Sequence, residues 1–253
     1  MTAKAEPAPS RLVAGLRIVG LAGLFLAYLP PHILSKLMLR RSRWPRRFLA
    51  AAARIAGARS RLSGEPLGPR TLVVANHTSW LDILVLGGAT GTAFVSKAEV
   101  KATTLIGWLA DQNRTLYIER SERGDAHGQV RRIRDALDHH QPLAIFPEGT
   151  TGHGRALMPF RSTLFHAVAP PPEGVSVRPV AIDYGHHVDH VGWHGGEGGL
   201  ANAMRVLGRR GTMDVHVRLL DPLPRLDDRK ALARHARDRL AEALSSVAPP
   251  SGL

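Results

Sequence analysis

From residue 71 onward the chain alternates apolar runs of strand length with longer stretches of helical periodicity, and this alternation restricts its fold more than any other feature. Strand-like runs lie at 71–75 (TLVVA), 92–95 (TAFV), 115–118 (TLYI), 142–146 (PLAIF), 177–183 (VRPVAID) and 213–219 (MDVHVRL). Helix-like stretches lie at 79–87, 105–111, 125–139, 199–209 and 228–246. The last carries Leu232, Ala236, Leu240 and Leu244 at four-residue spacing, an apolar stripe suited to packing on a core. Such alternation predicts an α/β fold, a mainly parallel sheet flanked by helices. Pro170-Pro171-Pro172 reads as a surface loop because strand signals resume at once, and the Gly- and His-rich stretch 185–199 reads as an irregular loop.

The first 60 residues are built differently. Residues 1–10 are polar and read as a flexible tail. Residues 18–29 are uncharged and almost wholly apolar, and the run extends back to Leu12 with Arg17 as its one interruption. Pro30-Pro31 is expected to end any helix there. Arg40, Arg41, Arg43, Arg46 and Arg47 follow, and 44–58 reads as a basic amphipathic helix. The apolar run is marginal for a bilayer span, which needs roughly 20 residues. It could equally lie in the interface with the arginines on anionic headgroups, or be the core helix of a soluble protein. The expected division is a tail at 1–10, a membrane-associated helical region at 11–60 and a catalytic domain at 61–248. The arginine cluster places that domain on the cytoplasmic face, in a bacterial cell that of the inner membrane.

The formal net charge of +13 favours anionic partners such as acidic lipids or phosphorylated molecules. Aromatic residues are only 5% of the chain and no nucleic-acid motif appears, which argues against nucleic acid as the partner. The absence of Cys excludes disulfides, thiolate metal sites and a cysteine nucleophile.

Ligands of open α/β sheets sit beyond the carboxyl ends of strands, and three strand ends here carry chemistry. After strand 71–75 come Asn76 and His77, with Asp82 five residues further on. A carboxylate beside a neutral imidazole fixes its tautomer and stabilises its charged form, as a general base acting on an alcohol requires. The plain alternative is a helix cap, since Ser79-Trp80-Leu81-Asp82 fits the S-x-x-[DE] pattern. After strand 142–146 come Pro147, Glu148, Gly149, Thr150 and Thr151, where Glu148 can accept from hydroxyls and Gly149 permits close approach; an ordinary turn would look similar. After strand 115–118 come Glu119 and Arg120, and Arg120 could fork onto a phosphate or simply be solvated. With no metal motif, the set describes acyl or phosphoryl transfer. His186, His190 and His194 share a four-residue spacing, but the surrounding glycines argue against the helix that would align them as metal ligands, and a loop lining the acceptor site fits better.

At these blocks the sequence resembles the glycerolipid acyltransferases of the lysophosphatidic acid acyltransferase family. Asn76, His77 and Asp82 meet the family's N-H-x4-D; residues 114–120 (RTLYIER) keep the terminal Arg of its second block but lose its Gly. Residues 146–151 (FPEGTT) match F-P-E-G-T-R with Thr151 in place of Arg, and 177–182 (VRPVAI) match the apolar fourth block with its central Pro. The resemblance spans about residues 70–185 and implies the following mechanism. His77 takes the proton from the free hydroxyl of a lysolipid, Asp82 orients His77, and the hydroxyl attacks an acyl-CoA or acyl carrier protein thioester directly. Asn76, Arg120, Glu148, Gly149, Thr150 and Thr151 line the acceptor side, with Arg120 on its phosphate, and no cofactor beyond the acyl donor is implied. The leading expectation is acylation of 1-acylglycerol-3-phosphate to phosphatidic acid. The alternative is a lyso-ornithine lipid, which has no phosphate, because "EGTT" resembles a bacterial subgroup acting on such lipids. A reading of another class is a non-catalytic basic membrane- or nucleic-acid-binding protein.

Overall fold

The computed structural model describes residues 8–39, 42–118, 126–138 and 141–246. Seven strands form one sheet: β1 (Ala58–Ser63), β2 (Thr71–Ala75), β3 (Ala93–Lys97), β4 (Leu116–Ile118), β5 (Leu143–Ile145), β6 (Ser176–Asp183) and β7 (Met213–Leu219). Their order is β1-β7-β6-β2-β5-β3-β4. All pairings are parallel except β6 with β7. The expected mainly parallel sheet is therefore present, with β7 and β1 running against the other five. The helices are α1 (Arg11–Leu39), α2 (Trp44–Ile55), α3 (Leu81–Thr90), α4 (Ala98–Lys101), α5 (Thr104–Gln112), α6 (Ala126–Leu137), α7 (Val188–Val191), α8 (Gly199–Gly208) and α9 (Arg229–Ser245).

The strand pattern explains the layering. β2 is apolar and buried at every position, as a central parallel strand must be. Val73 and Ala75 face one core, shared with Leu81, Val85 and Val206 on the side of α1, α2, α3 and α8. Leu72 and Val74 face the other, shared with Ile133, Leu232 and Leu240 of α6 and α9. The stripe read on α9 is present, with Leu232, Ala236 and Leu240 wholly buried. Asp228 caps that helix by accepting from the N–H groups of Lys230 and Ala231.

Three expectations fail for identifiable reasons. The helix read over 44–58 ends at Ile55, and residues 58–63 form β1, which crosses the boundary drawn at 60/61. β1 is an edge strand beside β7, and only its Ala58 is buried, so it has no apolar run to announce it. Gly57 makes the turn at φ 89°, a conformation that favours glycine. Pro30-Pro31 does not end α1, which continues to Leu39. The prolines remove two amide donors, but side chains on both sides hold the helix. Tyr28 packs edge-on to Trp44 before them; His32 and Lys36 bond to Gln112 after them, each at 3.0 Å. Part of the loop expected at 185–199 is ordered, as a 3-10 turn at Gly185–His187 followed by the single turn of α7.

α1 is docked along its length. Ala14 is in the core, Arg17 bonds to the carbonyls of Leu207 and Gly211, and Leu21 packs on the core. Phe25 meets Trp108, and Tyr28, His32 and Lys36 continue the same stripe. These positions step by three or four residues, one face of a helix. The other face exposes Leu12, Leu16, Val19, Leu26, Ile33 and Leu37. Residues 8–10, read as tail, also meet the fold: the Ser10 N–H bonds to the Gly208 carbonyl at 2.8 Å.

Candidate active site

The strand order assembles the site. β6, β2 and β5 are neighbours, so the segments beyond Ala75, Ile145 and Ile182 emerge side by side. Asn76 splices the first to the third. Its amide donates to the Ile182 carbonyl at 2.9 Å and accepts the Ile182 N–H at 2.8 Å, extending the β2–β6 pairing with a side chain. Both functions of the buried amide are thus engaged by the main chain.

Glu148 splices the first to the second. One carboxylate oxygen accepts the His77 N–H at 2.8 Å and the other accepts the Met158 N–H at 2.9 Å. Burial pushes its carboxyl above the usual range, and the two N–H donors oppose that push. The His77 carbonyl in turn accepts the Gly152 N–H at 3.1 Å. The His77 backbone is therefore held from both sides by the turn after β5.

The imidazole itself is oriented by Asp82. Nδ1 lies 2.8 Å from Asp82 Oδ2, and the ring stacks on Phe146 with centroids 4.0 Å apart. A carboxylate partner requires the proton on Nδ1, which leaves Nε2 as the basic nitrogen. Nε2 makes no hydrogen bond among the described residues, and the His77 side chain is 18% exposed while that of Asp82 is fully buried. Asp82 also accepts the N–H groups of Thr78 at 2.7 Å and Ser79 at 2.9 Å. One carboxylate thus serves the helix start and the imidazole together. The cap differs from expectation in one respect: α3 starts at Leu81, with Trp80 rather than Ser79 at its N-cap.

The remaining expected residues divide. Gly149 sits beside the pair at φ 79°, and a Cβ there would lie 2.7 Å from Nε of Arg161, whose side chain crosses directly over it. Thr150 is exposed and Thr151 half-buried, in the same turn. Arg120 lies outside the described residues; the strand preceding it, β4, is separated from β5 by β3. Arg155 is engaged with Asp189 in a two-pronged pair, both contacts 2.6 Å. Among the described residues no three or more His, Asp or Glu side chains converge as a metal site. Two contributors were given no role in the sequence reading. Phe146 supplies the surface under the imidazole and, with Val95, Ser96, Ile118, Ile145 and Leu164, lines a small cleft. Tyr184, at the end of β6, donates its hydroxyl to Asp82 Oδ1 at 2.6 Å.

A carboxylate-held imidazole, with one ring nitrogen unpaired among the described residues, thus lies past the ends of parallel strands, where α/β folds place their ligands. The sequence profile of the Acyltransferase family matches residues 33–183, and the chain belongs to that family. It is 37% identical to a lyso-ornithine lipid O-acyltransferase of Pseudomonas aeruginosa, covering 95% of each chain. It is 34% identical to a 1-acyl-sn-glycerol-3-phosphate acyltransferase of Neisseria gonorrhoeae over 45% of this chain and 44% of that one. The fold is similar to the crystal structure of the 1-acyl-sn-glycerophosphate (LPA) acyltransferase, PlsC, from Thermotoga maritima. The TM-score is 0.71 at 17% identity, covering 96% of this chain and 98% of that one. The protein is an acyltransferase, and the alternative of a non-catalytic binding protein is set aside.

Proposed function

We propose that this enzyme transfers a fatty acyl group from an acyl thioester to the free hydroxyl of a lyso-ornithine lipid. The observation that carries the choice is the end-to-end likeness to the Pseudomonas protein, against a match of under half of each chain to the glycerophosphate-specific relative. The site is compatible with it. Thr151 supplies no charge where a phosphate acceptor would call for one, and Arg155, itself exposed, is paired with Asp189. Arg161 alone crosses the acceptor-side glycine, and one guanidinium suits a singly charged carboxylate such as an amino-acid headgroup offers. This reverses the order of the two acceptors expected from sequence. Acylation of 1-acylglycerol-3-phosphate is the second reading, favoured by Arg161 as a phosphate partner.

His77 Nε2 takes the proton of the acceptor hydroxyl as its oxygen attacks the thioester carbonyl carbon. The tetrahedral intermediate collapses with cleavage of the carbon–sulfur bond, and the thiol of CoA or acyl carrier protein leaves with that proton. Phe146 holds the ring face and the cleft beside it takes the start of the acyl chain. Asp82 stabilises the imidazolium, as oriented carboxylates do in such relays. No cofactor enters besides the acyl donor.

The enzyme works at a membrane surface. One helix among the described residues is long and apolar enough to cross a bilayer, Arg11–Met38. Its docked stripe runs from Ala14 to Lys36, about 33 Å at the usual rise, so a span would drag the catalytic domain into the hydrocarbon. An in-plane position satisfies both faces. α5 extends the same footprint: Leu105 and Ile106 are each 57% exposed, and Trp108 of this helix touches Phe25 of α1. Arg43 and Arg47, at the start of α2, are exposed for anionic headgroups on the cytoplasmic face, whereas Arg46 bonds the last carbonyls of α3.

The deciding experiment compares kcat/KM of the purified enzyme for lyso-ornithine lipid and for 1-acylglycerol-3-phosphate under one acyl donor. A preference of tenfold or more for the ornithine lipid, roughly 1.4 kcal/mol in transition-state binding, is expected. A preference for the glycerophosphate would overturn the choice of acceptor.

A further inference from the structure

Asp82 is served by four donors, and one of them belongs to no part of the N-H-x4-D segment. Its Oδ2 accepts from His77 Nδ1, Thr78 N and Ser79 N. Its Oδ1 accepts the Tyr184 hydroxyl at 2.6 Å, the shortest of the four contacts. Tyr184 is 2% exposed and belongs to the core cluster that also holds Leu81 and Val191. A Phe would fill that space equally well, and burying a hydroxyl costs free energy unless it is bonded. Burial first, and then the charge of Asp82, pushes the Tyr184 phenol well above its usual range, so the hydroxyl keeps its proton and remains a donor.

We propose that Tyr184 is a positioning residue for the acyl transfer, acting through Asp82 on His77. Donation to Oδ1 fixes the rotation of the carboxylate so that Oδ2 faces the imidazole. It also draws charge away from Oδ2, which moderates how tightly the imidazolium is held once His77 has taken the acceptor's proton. The same strand end braces the other end of the segment, because Ile182 holds Asn76 two residues earlier. β6 thus grips the segment on both sides of the base. Among the described residues, the titratable groups coupled in this network are His77, Asp82, Tyr184 and Glu148, and Glu148 bonds the His77 main chain rather than its ring. The inference rests on His77 being the base, and the two fail separately. An active His77→Ala enzyme refutes the base, whereas the outcomes below concern Tyr184 in an enzyme whose His77 is intact.

The test is Tyr184→Phe in the full chain, assayed with lysolipid and acyl-CoA across pH. Removing one charge-assisted bond should lower kcat roughly 5–20-fold with both KM values within twofold, and move the acidic limb of the kcat–pH profile upward by about half a unit or more. An unmoved profile, with any loss of rate matched by loss of folded protein, overturns the proposal. Should the Phe variant not fold, 3-fluorotyrosine placed at 184 decides it. The shape is nearly kept and the donor is stronger, so the acidic limb should move downward. A limb that stays in place there is equally fatal.

Discussion

Glu148 holds the main-chain N–H of His77 at 2.8 Å across 71 residues of sequence, while its second oxygen holds Met158. Read from sequence as a residue on the acceptor side, this carboxylate also fixes the backbone from which His77 projects. Glu148→Gln keeps the shape but brings an NH2 group against one of two N–H donors, leaving that pair unbonded. A buried donor without an acceptor costs about 1–3 kcal/mol. Thermal melting should report the lost stability. The rate of thiol release should fall tenfold or more, because displacing the base by a fraction of an ångström misaligns proton transfer.

His77→Ala removes the proposed base and should lower kcat about 10²–10⁴-fold. The ring is partly exposed and stacked on Phe146 at one face only, so circular dichroism should show the fold retained. Activity within tenfold of the unmutated enzyme would sink the assignment of the base.

Asn76→Asp tests the splice between β2 and β6. A carboxylate can still accept the Ile182 N–H but cannot donate to the Ile182 carbonyl, and Asn76 is only 4% exposed. Two buried oxygens then face each other. The expected loss is about 2–4 kcal/mol in denaturant unfolding. A loss below half a kilocalorie, well under the usual cost of an unmet buried acceptor, would mean that the amide does not tie the strands.

Leu105→Glu with Ile106→Glu tests the membrane footprint without touching the base. Both side chains are more than half exposed, so folding should be unaffected. Sedimentation with vesicles of zwitterionic and anionic lipid should weaken at least fivefold, since each buried apolar side chain contributes about 1.5–3 kcal/mol. The rate on vesicle-borne lysolipid should fall in parallel. The rate on a short-chain soluble lysolipid should stay within twofold. Equal loss on both substrates would place these residues in the chemistry and not at the membrane.

The elements legible in the sequence are those with a one-dimensional signal. β2, β6 and β7 lie within a residue of expectation because their apolar runs are continuous or strictly alternating. β1 was illegible because an edge strand with one buried residue has no periodicity to show. The path of α1 through Pro30-Pro31 was illegible because the contacts that hold it come from Trp44 and Gln112, which a local rule about proline does not include. At the site, the pairing of His77 with Asp82 could be foreseen, since both lie on one short segment. The placement of Glu148 and Tyr184 could not, because it depends on β5 and β6 being the two neighbours of β2.

The docked stripe of α1 also sets an order of events during synthesis. This helix is made before the elements it docks on: the carbonyls that receive Arg17 belong to Leu207 and Gly211, 190 and 194 residues later. Until α5 and α8 are made, much of its docked face has no protein partner, and a bilayer surface is the environment that accepts a helix in that condition. If α1 lies in the membrane plane as proposed, that surface receives it before the sheet is complete.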